Sequence, residues 1–183
     1  MLRVGDRFEN ARTGATMEMV RVPGPDGGVL EVRRLLKPGT GRTVPHMHLD
    51  YVERFAIEQG QASAKLDGRA LTLGPGDELE VPLESTHVNP YNASDQDLVL
   101  RHTFEPASEF ALGYVETLGH LMLEGRTDRQ GEAPLSAAFA VGHHTRSHTY
   151  AGAAPHGLQR SVLFPLGARI AKLRGYPLHL PGG

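Results

Sequence analysis

GRTVPHMHLDYVERFAIEQG, residues 41–60, is the stretch that decides the fold. His46 and His48 stand two apart, and on a strand residues two apart point to the same face. Both imidazoles therefore project to one side while Pro45 and Met47 face the other. Leu49 to Val52 suffice for a bend that returns the chain and sets Glu53, on the next strand, beside the two rings. The same parity places Phe55 and Ile57 on the inner face with Glu53, as an apolar wall. A second segment supplies a fourth group: Pro75 and Gly76 make a turn, Pro82 ends a strand and His87 opens the next. Imidazoles and a carboxylate buried together need partners, and a divalent ion provides them. The alternative is a metal-free pocket of ordinary satisfied polar residues.

Outward from this stretch, residues 15–105 alternate short β-favouring runs with Gly, Pro, Asn and Asp clusters, the pattern of many short strands joined by tight turns. The runs are 16–22, 29–36, 43–48, 52–58, 61–67, 69–73, 78–82, 86–90 and 97–104, with turns at 24–28, 38–41, 66–69 and 74–77. A barrel or sandwich is expected, and closure into a barrel removes exposed strand edges. After Pro106 the period changes to about 3.6. Ser108 reads as the N-cap of an amphipathic helix that carries Ala111, Tyr114, Val115, Leu118, Leu121 and Met122 and ends at Gly125. Pro134 to Val141 reads as a second helix. A third runs from Gly157 to Arg174, with an apolar stripe of Leu158, Val162, Leu166, Ile170 and Leu173 and a kink or break at Pro165. Residues 142–156 read as a flexible loop.

The chain has 183 residues, enough for one compact core with an appendage. A net charge of -2 leaves no electrostatic footprint for nucleic acid. The absence of cysteine excludes disulfides, thiolate metal sites, iron–sulfur clusters and a cysteine nucleophile. Any metal must then sit on nitrogen and oxygen. No apolar run approaches the roughly eighteen residues of a membrane helix, and the N-terminal MLRVGDRFEN lacks the apolar stretch of a signal peptide. A cytoplasmic protein with no membrane partner is expected.

The two segments together resemble the motifs of the cupin superfamily. The first motif, G-x5-H-x-H-x3,4-E-x6-G, matches at His46, His48, Glu53 and Gly60, with Gly41 one residue nearer the first histidine. The second, G-x5-P-x-G-x2-H-x3-N, matches at Gly76, Pro82 and His87, with Glu84 in the internal glycine position and Tyr91 in the final asparagine position. More broadly, the layout is similar to small single-domain cupins with a helical C-terminal extension ending in a Gly-Tyr-Pro-like tail, here Gly175-Tyr176-Pro177. The resemblance implies a mainly β, cupin-type double-stranded β-helix (jelly-roll) barrel over residues 1–106. It also implies a helical extension over 107–183, packed on the barrel or at a dimer interface. The implied metal ligands are His46, His48, Glu53 and His87, holding one divalent transition ion: Fe, Mn, Ni, Co, Cu or Zn. Imidazole must be neutral to bind, so binding is expected to weaken as pH falls through about 6.5.

The chemistry most often found with such a ligand set in small cupins is that of a metal-dependent dioxygenase, an oxidoreductase acting on a small molecule. The alternatives are a metal-dependent isomerase, lyase or decarboxylase, or a non-catalytic binding module. No catalytic residue beyond the ligands is identified, and no organic cofactor is called for. Arg33 and Arg34 are adjacent on a strand, so one faces inward, where it would suit a carboxylate-bearing substrate. His102 faces the interior or the outside according to a register the sequence leaves open. His143, His144 and His148 read as solvent-exposed, and Asp50 and Tyr51 as a turn near the pocket mouth. Arg160, Arg169, Lys172 and Arg174 complement a helix C-terminus. A homodimer is expected, using the barrel's outer strands or the Leu158 to Leu173 stripe.

Overall fold

Turn chemistry sets the strand lengths in the computed structural model, which describes residues 1–24, 27–152 and 154–179. The strands are β1 (Arg7–Glu9), β2 (Thr16–Arg21), β3 (Leu30–Leu36), β4 (His46–His48), β5 (Val52–Gln59), β6 (Ala62–Leu66), β7 (Arg69–Leu73), β8 (Glu78–Val81), β9 (His87–Tyr91) and β10 (Leu98–Glu105). Asp67 and Gly68 close the β6–β7 hairpin with φ of 46° and 80°, as a two-residue turn of matching twist requires. Gly60 has φ 82°, and a Cβ there would lie 2.4 Å from the Asp97 carbonyl oxygen, so only glycine fits. Of the turn expected at 24–28, residues 25 and 26 lie outside the described residues, and Gly24 bridges Gly27.

The antiparallel strands form two sheets, of order β1-β2-β3-β10-β5-β8 and, with a further strand β11 (Thr149–Ala151), β11-β4-β9-β6-β7. Successive strands from β3 to β10 cross between the sheets everywhere but in the β6–β7 hairpin, and the orders β3-β10-β5-β8 and β4-β9-β6-β7 are those of a jelly roll. The fold is therefore a mainly β barrel of cupin type with a helical C-terminal extension.

Alternation divides the barrel interior into two ends. Leu36, Phe55, Ile57, Ala62, Ala64, Leu79, Val81, Leu98 and Leu100 fill one end as a continuous apolar cluster. At the other end Met17, Met19, Val32, Tyr51 and Phe104 meet α1 (Glu109–Leu123), which buries Ala111, Val115, Leu118, Leu121 and Met122. The Ser108 hydroxyl accepts the Ala111 amide at 3.1 Å and caps this helix as the sequence predicts.

The extension departs from its expected form in two places. α2 (Leu135–His144) runs three residues beyond the predicted end at Val141, and β11 follows it, so the described residues of the segment expected as a loop, 142–156, hold a helix end and a strand. β11 pairs with β4, Thr149 opposite His48 and Ala151 opposite His46. The buried Gln159 side chain fixes β11 from the other side: its Oε1 accepts the Ala151 amide at 2.9 Å, and its Nε2 donates to the carbonyls of Ala151 and Ala154 at 2.7 Å each. The last helix is α3 (His156–Leu158), a π turn (Gln159–Leu163) and α4 (Phe164–Leu173) in one continuous run. Pro165 thus sits in the first turn of α4 rather than breaking the helix, because the wide turn ahead of it absorbs the missing amide. The predicted stripe lies largely outside. Leu158, Val162, Leu166 and Leu173 are exposed, whereas Gln159, Phe164, Gly167 and Ala171 are buried. The small residues decide this face: a Cβ on Gly167 would lie 2.5 Å from the Phe139 Cβ, so α2 and α4 approach too closely for larger side chains.

Candidate metal centre

β4, β5 and β9 bring the four predicted residues together. One potential ligand atom from each of His46, His48, Glu53 and His87 lies within 4.8 Å of the others. His46 and His48 share a face of β4 as their spacing demands, and His87 stands opposite His46 in the ladder between β4 and β9. His48, Glu53 and His87 are buried, and His46 is half-buried at the edge of a cavity.

The hydrogen bonds around the rings fix where their lone pairs point. The His46 Nδ1 lies 2.8 Å from the Val44 carbonyl oxygen, and a carbonyl only accepts, so this nitrogen carries the proton and Nε2 is left with its lone pair. The His87 Nδ1 is 3.3 Å from the Ser85 carbonyl, and its Nε2 faces the Glu53 Oε2 at 3.0 Å. With the ring proton on Nδ1, two lone-pair atoms confront each other there, an arrangement that a shared cation relieves. The His48 Nε2 is 3.5 Å from the same oxygen, and neither nitrogen of this ring has a hydrogen-bond partner among the described residues. Unsatisfied buried nitrogens converging on a carboxylate suit a divalent ion bound through nitrogen and oxygen.

Electrostatics agree with this geometry. Burial, reinforced by the neighbouring His87, lowers His46 from 6.5 to about 3, against the opposing pull of Glu53. Burial likewise takes His48 down to about 4, with Glu53 again opposing. Burial works to raise Glu53, but the neighbouring His48 and His102 hold it well below the usual carboxylate range. His46 and His48 are thus neutral rings beside an anion. The expectation of proton competition near 6.5 is corrected for His46 and His48, whose rings resist protonation to well below that value.

His102, whose orientation the sequence leaves open, faces inward. It packs on Phe55, with ring centroids 4.2 Å apart, and sets its Nε2 3.0 Å from the Glu53 Oε1, too poorly aligned for a good hydrogen bond. Arg34 is the inward arginine and Arg33 the outward one, bonded to Glu58 at 2.6 Å. Arg34 is matched at 2.6 Å by Glu132, itself buried, so the pair offers a substrate carboxylate no net charge. Tyr51 is core rather than turn: it is buried, stacks on His48 at 4.1 Å and meets the Thr149 hydroxyl at 3.2 Å. Asp50 stays at the bend, half-buried. His143, His144 and His148 are exposed as expected, although the first two end α2 instead of lying in a loop. Arg160, Arg169, Lys172 and Arg174 are exposed.

Sequence reasoning missed the far wall of the site. A cavity of about 430 Å³ opens beside His46 and Glu53, bounded on one side by the barrel mouth and on the other by α1, α2 and β11. Glu132, Tyr114 and Phe139 of this wall come from the extension, and only the amphipathic pattern of α1 hinted at any of them.

No protein-family model matches the chain. No curated protein matches it either. Among solved structures, KdgF from Halomonas sp. is 21% identical with a TM-score of 0.45, over 54% of this chain and 84% of that one. An RmlC-like cupin from Shewanella frigidimarina is 22% identical with a TM-score of 0.45, over 56% of this chain and 85% of that one. The cupin domain of an XRE family transcriptional regulator from Enterobacter cloacae is 18% identical with a TM-score of 0.43, over 49% of this chain and 94% of that one. Each is a likeness only, and the assignment of the barrel rests on its strand order.

Proposed function

We propose that this chain is a metal-dependent enzyme acting on a small organic molecule, with dioxygenase-like oxidation as its reaction class. The observation that carries the reading is the convergence of His46, His48, His87 and Glu53 within 4.8 Å beside a cavity. A divalent transition ion held by these residues would polarise an oxygen atom of a bound molecule or activate a second ligand. Fe, Mn, Ni, Co, Cu and Zn all accept such a set, and the redox-active ions among them join it to oxygen chemistry. The chain's own residues do the rest. The Val44 carbonyl orients His46, Glu53 contributes the anionic charge, and α1 and α2 shield the pocket from water.

A second reading, a metal-dependent isomerase or lyase, has a specific observation in its favour. His102 borders the cavity, its Nε2 3.0 Å from the Glu53 Oε1, and an imidazole beside a carboxylate at a cavity wall is placed for proton transfer. Oxygen uptake by the Fe(II)-loaded protein with a panel of enediols and catechols tests the first reading. Uptake that depends on substrate supports it. Solvent deuterium entering the same substrates without oxygen consumption supports the second.

Within this reading the protein works in the cytoplasm as a homodimer. No helix among the described residues is long and apolar enough to cross a membrane. The exposed Leu158, Val162 and Leu166 support a two-fold contact, and light scattering of Leu166→Glu against the parent is its check: a monomeric variant is expected.

A further inference from the structure

The cavity beside the metal centre differs in chemistry between its two sides. Where it meets the barrel it offers His46, Glu53 and His102, a cluster that suits an oxygen-bearing head group. Away from that cluster its walls are Val32 and Phe104 of the barrel, Phe110, Val115 and Leu118 of α1, and Phe139 of α2. These side chains donate and accept nothing. Polar groups of that wall are in part spent on each other: an Arg34 Nη is bonded to Glu132 at 2.6 Å, and the Tyr114 hydroxyl donates to the other Glu132 oxygen at 3.4 Å, while the Arg34 Nε and the Asn89 Oδ1 stay buried without a partner among the described residues. Each hydroxyl of a sugar needs its own partner when buried, and the Val32, Phe104, Phe110, Val115, Leu118 and Phe139 side chains have none to give.

We propose that the molecule bound here is a small, largely apolar compound with one oxygen-bearing head group, and not a sugar, a sugar acid or a nucleotide. The head lies at the His46, His48, Glu53 and His87 cluster, and the ring or short chain behind it fills the space under α1 and α2. The cavity of about 430 Å³ is at the small end of sites that enclose small-molecule ligands, which limits the body to a single ring or a short chain. The proposal rests on the metal-dependent reading above, since that reading places the head. It adds that selectivity comes from the extension, which supplies the apolar roof.

The test uses the full chain loaded with Ni(II) and titrated calorimetrically with straight-chain hydroxamates of increasing length, alongside gluconohydroxamate. The shared hydroxamate reports on the metal, and the tail reports on the cavity. Affinity should rise roughly threefold to fourfold per added methylene until the cavity is full, with gluconohydroxamate weaker than the alkyl compound of equal length. Ala138→Trp, at the half-buried cavity edge and away from the ligand cluster, should weaken the longest hydroxamate at least tenfold and leave acetohydroxamate unchanged. Metal-dependent binding with a flat series, or a preference for gluconohydroxamate, overturns this inference and leaves the metal centre standing. A protein that neither retains Ni(II) nor binds any hydroxamate overturns the metal reading, and this inference with it.

Discussion

β4 and β11 lie side by side in one sheet, Met47 opposite Tyr150, yet they come from opposite kinds of sequence. β4 carries its meaning in its own residues, because alternation alone aims His46 and His48 to one side. β11 carries almost none. Thr149-Tyr150-Ala151 is short, follows a histidine-rich turn, and becomes a strand only because β4 offers an edge and Gln159 secures the other side. The ligand strand is thus held between β9 and a segment some hundred residues away, so the extension is part of the site's frame.

Removing the extension breaks the comparison most severely. A chain ending at Pro106 lacks β11 and α1, and so exposes Met17, Met19, Val32 and Phe104, all buried in the full chain. Such a protein should aggregate or melt far earlier than its parent by light scattering and calorimetry. A soluble truncated barrel with the parent's melting temperature would show that β4 needs no help.

Acid acts on the ligand side of the pair and comes next in size. His46 and His48 titrate near 3 and 4 when folded and near 6.5 when unfolded. Between those values the unfolded chain binds protons that the folded chain refuses, so stability of the metal-free protein is complete above about 6.5 and is lost as pH falls toward 4. Glu53, held low, adds to the loss below its ordinary range. The melting temperature of metal-free protein should therefore fall between pH 7.5 and pH 5, and fall less steeply in His48→Ala. Parallel pH slopes for the two proteins would reject the shifts.

Gln159→Ala tests the other side of the pair. It removes the three hydrogen bonds to Ala151 and Ala154 and strips the half-buried Ala151 amide of this partner, at a cost of about 1 kcal/mol or more. Urea denaturation reads the loss, and metal affinity should weaken with it because β4 loses its neighbour. Loss of stability with unaltered metal affinity would confine β11 to a structural role.

The smallest effect concerns the turn before β9. Glu84 occupies the glycine position of the second motif and keeps the glycine conformation, φ 66°, while its amide donates to the His48 carbonyl at 2.9 Å. Glu84→Gly should relieve the left-handed strain and stabilise the fold by about 0.5–1 kcal/mol, read as a higher urea midpoint. A lower midpoint would mean that the glutamate side chain makes a compensating contact.

The comparison also shows what was legible in the sequence. The runs from residue 16 to 104 each overlap a strand because their partners follow within a turn or their faces alternate strictly. Ser108 announced α1 by a local capping rule. Along the last helical run hydrophobicity points to Leu158, Val162 and Leu166 as the buried face, whereas close packing selects Gly167 and Ala171, which a periodicity count weighs little. His102 was undecidable because parity needs register, and its register comes from pairing with Phe55 and Val32, partners set by the tertiary fold. The Arg34–Glu132 pair joins residues 98 apart along the chain and left no local trace.

The most direct test of the central claim is the metal content of the full chain, purified without a histidine tag or chelating resin after exposure to equal amounts of Mn, Fe, Co, Ni, Cu and Zn. It is compared with the protein carrying His46→Ala, His48→Ala and His87→Ala together. About one divalent ion per parent chain and less than about a tenth of that in the triple variant are expected, with β-rich circular dichroism retained in both. Full occupancy in the triple variant would contradict the claim.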